Sequence, residues 1–269
     1  MNILEKIIAQ KQKEVAERQS LYPVKLLERS TFFESPTVSF KKYLLREDKV
    51  GIIAEFKRKS PSKGIINKYA DVERTSIGYM QSGASALSVL TDNEFFGGKN
   101  EDLTIARKFN YCPILRKDFI IDEYQIVETK SIGADVVLLL ANVLTASQIK
   151  QYAQFAKSLG LEVLLEIRDE EELKSVNQFV DVVGVNNRNL KDFTVNVSQS
   201  FKLSNLIPSD FIKISESGID SANTIVELSD AGFKGFLMGE SFMKNNRPER
   251  ACANFIKEVN TLKNSLITV

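Results

Sequence analysis

Eight short apolar runs, each separated from the next by an amphipathic stretch, constrain this chain more than any other feature. They are GIIAEFK (51–57), ASALSVLT (84–91), CPILRKD (112–118), ADVVLLL (134–140), LEVLLEI (161–167), DVVGVN (181–186), FIKISES (211–217) and GFLMGE (235–240). Their starts lie 20 to 33 residues apart, room for one helix and two loops, as a parallel βα repeat requires. The stretches between them keep a helical period. Val72, Thr75, Ile77 and Met80 precede Gly83; Ile149, Tyr152 and Phe155 precede Gly160; Ile225 and Leu228 precede Gly232. Glycine just past the last periodic residue is a helix stop signal.

Eight such units and no ninth are the count of a closed (β/α)8 TIM barrel, and 269 residues is close to the roughly 250 that such a barrel takes. An open doubly wound sheet is the alternative, but no GxGxxG follows the first strand. Residues 1–48 read as an N-terminal helical extension, with Ile3, Leu4, Ile7 and Ile8 as a stripe and a second short helix near 38–46. Residues 49–269 read as the barrel, and the whole as a single domain with no linker.

Composition narrows the chemistry. Lys plus Arg number 36 and Asp plus Glu 35, a net charge of +1, which provides no field for nucleic acid or an anionic membrane. Any anion is therefore bound by placed groups. The N-terminal MNILEKIIAQKQKEV is broken by charges every few positions and does not read as a signal peptide, and no later run is long enough for a membrane span. Cys112 and Cys252 have neither a CxxC spacing nor a histidine partner and read as buried structural thiols of a reducing cytoplasm. The chain has no histidine. This excludes a Ser-His-Asp triad and a His-ligated metal, and leaves acid–base work to Lys, Glu, Asp, Tyr or Cys.

In a barrel of this kind the active site lies at the C-terminal ends of the strands. There the first strand offers Glu55 and Lys57, which share a face because positions i and i+2 do, and then Ser60 in an SPSKG turn that reads as a mobile loop. Thr91 and Asp92 end the second strand, and Lys117 and Asp118 the third. The fourth offers only Leu138 and Leu140. Glu166 ends the fifth, Asn186 and Arg188 follow the sixth, Glu216 and Ser217 end the seventh, and Gly239 and Glu240 the eighth. So many ionisable groups on one rim are unfavourable unless they pair or meet a charged ligand. Glu216-Ser217-Gly218 and Gly239-Glu240-Ser241 fall where such barrels bind phosphate through free backbone N–H groups. Lys57, Lys117 and Glu166 are bordered by apolar residues, which predicts pKa values shifted toward neutrality, as a histidine-free acid–base site needs. Arg188 fits either a clamp on a ligand carboxylate or a brace for Glu55. Phe95-Phe96-Gly97-Gly98 and Phe119, in loops over a polar site, suggest a planar apolar part of the ligand.

Taken in order, IIAEFKRKSPSKG, ALSVLTDNEFFGG, ILRKDFIIDEYQI, ADVVLLL, VLLEI, GVNNRNL, SESGI and FLMGESFM resemble the strand-end motifs of the indole-3-glycerol-phosphate synthase family, and ILEKIIAQKQKEV is similar to its N-terminal extension. The resemblance implies a barrel that converts 1-(2-carboxyphenylamino)-1-deoxyribulose 5-phosphate to indole-3-glycerol phosphate with loss of CO2 and water, in tryptophan biosynthesis, with no cofactor and no metal. By the same resemblance, Lys117 is the general acid of ring closure and Glu166 the base of dehydration. Glu55 and Lys57 form the pair on the first strand, with Lys57 at the substrate carboxylate and a candidate acid for the second step. Phe96, Phe119 and Leu138 wall the anthranilate ring. Asn186 and Arg188 hold the polar end and the network around Glu55. Ser60, Glu216, Ser217, Gly218, Gly239 and Glu240 make the remaining substrate and phosphate contacts.

The expected partner is thus a small phosphosugar–anthranilate, with neither nucleic acid nor membrane, and the chain a monomer or weak homodimer in the cytoplasm. Two alternatives stay open: another phosphosugar barrel enzyme, such as an isomerase or a Schiff-base aldolase using Lys117, and a phosphate-ligand-binding barrel without catalysis.

Overall fold

Each of the eight apolar runs forms a strand: β1 (Ile52–Phe56), β2 (Ala86–Leu90), β3 (Ile114–Lys117), β4 (Val136–Leu140), β5 (Glu162–Ile167), β6 (Val182–Asn186), β7 (Ile212–Glu216) and β8 (Phe233–Met238). All pair in parallel in chain order, and β8 pairs with β1 to close the barrel. The computed structural model describes residues 2–189 and 192–267; Leu190, the last residue of GVNNRNL, lies outside them. Alternation along each strand sorts the side chains into two cores. Ile52, Ala54 and Phe56 pack outward under the helices, while Ile53 joins Leu115, Val136, Leu164, Val182 and Ile214 inside the barrel.

The helical ring follows the predicted stretches: α4 (Val72–Gln81), α5 (Asn100–Phe109), α6 (Glu123–Ser131), α7 (Ala146–Ser158), α8 (Glu170–Leu173), α9 (Ser198–Ser204), α10 (Ala222–Asp230), α11 (Glu240–Met243) and α12 (Pro248–Ile267). Asp71, Thr145 and Ser221 cap α4, α7 and α10 by accepting from the N–H of Arg74, Gln148 and Thr224, which satisfies donors the helix leaves free. The predicted stop glycines Gly83, Gly160 and Gly232 have φ of +101°, +76° and +91°, a left-handed turn that costs glycine little. On α4 the buried face is Val72, Thr75, Ser76 and Tyr79. Ile77 and Met80 flank it, half-buried, because a 3.6-residue period through Val72 returns at Tyr79.

The N-terminal extension, α1 (Ile3–Leu21), α2 (Val24–Leu27) and α3 (Phe40–Leu44), clamps the barrel from mouth to floor. Asn2 and Glu5 form a capping box at the start of α1. Val15 and Leu27 pack on Tyr124 and Val127 of α6, and the Tyr124 hydroxyl donates to the carbonyls of Arg18 and Tyr22. Covered by the barrel on one side and the extension on the other, α6 is buried from Tyr124 to Ser131. At the floor, the Val38 N–H donates to Asp135 and the Ser39 hydroxyl to Glu162. Phe40 and Leu44 then enter the inner core beside Ile53, Val182 and Ile214 and close the bottom of the barrel. The region after β1 departs from expectation: Lys59–Ser60 and Gly64–Ile65 pair as a small antiparallel hairpin, and Lys59 donates to the Glu94 carbonyl, tying it to the loop after β2.

Candidate active site

A cavity of about 380 Å³ opens at the C-terminal ends of the strands. Every residue singled out from the sequence as a catalytic, substrate or phosphate candidate lines it: Glu55, Lys57, Ser60, Phe96, Lys117, Phe119, Leu138, Glu166, Asn186, Arg188, Glu216, Ser217, Gly218, Gly239 and Glu240. Strand register explains the convergence. Leu140 lies opposite Glu166, Glu166 opposite Gly184, and Asn186 opposite Glu216, so these inward-facing positions share the top layers of the barrel.

Two lysine ammonium groups are paired with carboxylates at the mouth. Lys57 Nζ is 2.6 Å from Glu55 Oε1. Lys117 Nζ is 2.5 Å from Glu166 Oε2 and 3.0 Å from Glu216 Oε2. The other oxygen of Glu166, Oε1, accepts from Asn186 Nδ2 at 2.8 Å, and Asn186 Oδ1 in turn accepts from the Arg188 N–H. This chain of bonds fixes the Glu166 carboxylate from both sides.

The electrostatics differ from the expectation of lysines drawn toward neutrality. Burial does pull the Lys117 ammonium down, but the carboxylates of Glu166, Glu216 and Glu55 outweigh it and hold its pKa above the ordinary lysine value. The group moved to neutrality is Glu216. Burial, with further repulsion from Glu166 and Glu55, pushes it to about 7 against the opposing pull of Lys117. Glu166 and Glu216 share the Lys117 ammonium with Glu55 nearby, and the most buried of the three takes up the conflict.

Arg188 does not brace Glu55. Its guanidinium lies 3.7 Å from Glu240 Oε2, because the chain after β6 carries it over the end of β8, whereas Glu55 already has Lys57. Glu240 also faces Lys63 Nζ at 3.5 Å. At the predicted phosphate corner, Ser217 and Gly218 have φ of +68° and +77°, a turn that aims successive backbone groups at one place. Gly239 is small because it must be: a Cβ there would stand 2.5 Å from Glu55 Oε1. Phe96 and Phe119 face each other with ring centroids 6.0 Å apart, above Leu138 and Leu140.

Several lining residues escaped the sequence reading. Ile3, Leu4 and Ile7 of α1 roof the cavity, and Lys244, just past α11, adds a cation beside Gly239 and Glu240. Asp118 faces away from its sequence neighbour Lys117, which pairs with Glu166 and Glu216. Asp118 is buried between Arg116 and Lys11 of α1, which together hold its carboxyl down at about 2 despite burial. Lys11 in a helix stripe with Ile7 and Val15 was the available signal. Both cysteines are buried and unpaired. Among the described residues, no helix is long and apolar enough to cross a membrane.

The fold and this rim define a (β/α)8 barrel with a cluster of paired lysines and glutamates at its mouth. At the level of fold alone, the chain is similar to a solved structure described as native KDPGal (TM-score 0.57, 10% identity, 81% of this chain and 96% of that one) and to 3-hexulose-6-phosphate synthase from Salmonella typhimurium (TM-score 0.61, 12% identity, 78% and 99%). Residues 4–255 match the family of indole-3-glycerol phosphate synthase. The synthase of Bacteroides thetaiotaomicron is 45% identical, with 96% of this chain and 99% of that one aligned. Those of Campylobacter jejuni (strain 81-176; 93% and 98% aligned) and Caldanaerobacter subterraneus subsp. tengcongensis (96% and 98%) are each 41% identical. The chain belongs to the indole-3-glycerol phosphate synthase family, and with it to the carboxy-lyases of tryptophan biosynthesis.

Proposed function

We propose that the family's conversion of 1-(2-carboxyphenylamino)-1-deoxyribulose 5-phosphate to indole-3-glycerol phosphate runs in this cavity, with Lys117, Glu166, Lys57 and Glu55 as its acid–base groups. The observation that carries this assignment is the pairing of Lys117 with Glu166 across the mouth. In ring closure, the anthranilate ring carbon bearing the carboxylate attacks the ribulose carbonyl. The carbonyl oxygen takes a proton from Lys117, and CO2 leaves while the electron pair of the broken C–C bond stays behind and restores the ring. In dehydration, Glu166 accepts a proton while the new hydroxyl leaves as water, protonated by Lys57. Glu55, 2.6 Å from Lys57 Nζ, positions that ammonium at the substrate carboxylate. The ring lies between Phe96, Phe119 and Leu138. The phosphate takes backbone donors at Ser217, Gly218, Gly239 and Glu240, with Ser60 at the base of the hairpin and Asn186, Arg188 and Glu216 on the sugar hydroxyls.

The raised pKa of Lys117 favours this reading over a Schiff-base aldolase, whose lysine must be a free amine. Two buried free thiols suit the cytoplasm. The test is the appearance of indole fluorescence on mixing substrate with wild type, Lys117→Ala and Glu166→Gln. Each substitution is expected to lower kcat by about 10²–10⁴, the typical yield of a general acid or base. Near wild-type turnover in both would overturn the roles, and a borohydride-trapped adduct on Lys117 would replace them with the aldolase.

A further inference from the structure

Lys11 is the most buried lysine among the described residues, at 3% exposure, although it belongs to a helix of the N-terminal extension. Its Nζ lies 2.9 Å from Asp92 Oδ2, 3.0 Å from Asp118 Oδ1 and 2.7 Å from Glu14 Oε2. Each of the two aspartates is in turn bonded to the backbone of an aromatic loop. Asp92 Oδ1 accepts from the N–H groups of Phe95 and Phe96, and Asp118 Oδ1 accepts from the N–H of Phe119. Asp118 Oδ2 is fixed separately, by Thr91 and Arg116. One ammonium therefore joins the loop after β2, which carries Phe96, to the loop after β3, which carries Phe119. It also seats α1, whose Ile7, one turn earlier on the same face, reaches the cavity with Ile3 and Leu4.

We propose that Lys11 is a positioning residue for the aromatic part of the ligand: through Asp92 and Asp118 it sets the spacing of Phe96 and Phe119 and holds the apolar roof of α1 above them. Lys11 does not line the cavity, so it acts through these partners and not by contact. Among the described residues, no such bonds run from Lys11 or its two aspartates to the phosphate corner at Ser217, Gly218 and Gly239. Loss of Lys11 frees two buried carboxylates from their shared counter-charge and loosens the ring subsite while the sugar-phosphate end keeps its geometry.

The inference rests on the reading that the ring lies between Phe96 and Phe119, and two ligands separate the two claims. Wild type and Lys11→Met are compared for KM and kcat with 1-(2-carboxyphenylamino)-1-deoxyribulose 5-phosphate, and for competitive inhibition by ribulose 5-phosphate, which has the sugar phosphate but no ring. The expected result is a KM raised about tenfold or more, a smaller change in kcat, and an inhibition constant for ribulose 5-phosphate within about twofold of wild type. Lys11→Arg should recover most of the loss. An unchanged KM, or a parallel loss of both ligands, would overturn the proposal. If Lys11→Met does not fold, Asp92→Asn, which keeps an acceptor for Phe95 and Phe96 but removes the charge facing Lys11, is held to the same ratio. The placement of the ring fails separately, if Phe96→Ala and Phe119→Ala leave KM unchanged in an otherwise wild-type chain.

Discussion

Glu216 reaches Lys117 with one carboxylate oxygen only. Oε2 lies 3.0 Å from the ammonium, while Oε1 is buried with no hydrogen-bond partner among the described residues. An acid so placed keeps its proton to about pH 7, against an ordinary value of 4.5, and its neighbour Glu166 keeps the closer contact.

This arrangement has a thermodynamic signature. Between pH 4.5 and about 7 the folded protein holds a proton on Glu216 that the unfolded chain has released. Stability from this group therefore falls as pH rises through that window. At about 1.4 kcal/mol per pKa unit, the effect is on the order of a few kcal/mol. Urea unfolding at pH 5 and pH 8 should show wild type losing stability relative to Glu216→Gln at the higher pH. Lys117, whose pKa is raised, contributes stability lost only above the ordinary lysine range and leaves the window clear. An equal difference at both pH values would contradict the shift.

Gly184, which does not line the cavity, should nonetheless be needed for turnover. A Cβ there would stand 2.6 Å from Glu216 Oε1 and 3.1 Å from Leu164 Cδ1, so both side chains would have to shift. Gly184→Ala is expected to lose about 1–3 kcal/mol, as overpacked cores do, and to lower kcat/KM about tenfold by pushing Glu216 off Lys117. Turnover kept at the wild-type level would show that Glu216 can be displaced without consequence.

The Arg116 guanidinium is buried behind the site, 2.6 Å from Glu128 and 3.2 Å from Asp118, with Thr91 Oγ1 at 3.0 Å. Removing the cation leaves buried carboxylates short of charge, which typically costs about 3–5 kcal/mol. Arg116→Met should lower the denaturant midpoint by a corresponding amount. A loss below about 1 kcal/mol would mean that Arg18 and Lys11, on the far sides of Glu128 and Asp118, suffice without it.

The barrel was legible because parallel strands covered on both faces are written as continuous apolar runs, and because glycines such as Gly83 and Gly160 mark where helices stop. The rim followed from counting which polar residues end those runs. The connections between rim residues were not legible. The stripe with Ile7 and Val15 marks Lys11 as inward-facing, but its partners Asp92 and Asp118 lie more than 80 residues later in the chain and are placed around its ammonium only by the fold. Arg188 shows the same limit: its position after β6 was clear, but which carboxylate it faces depends on the path of the loop. The titration of the site was misjudged for a related reason. Apolar neighbours in sequence argue for a depressed lysine, whereas the three carboxylates that set Lys117 come from β1, β5 and β7.

Glu216, poised near neutrality, makes the resting cavity a proton sponge. Any ligand that brings negative charge beside it raises its affinity for a proton further, so at pH 7 to 8 a bound anion arrives with hydrogen ions drawn from solution. The heat measured on binding then includes the ionisation of whatever buffer supplied them, and will differ between phosphate and Tris even where the affinity does not.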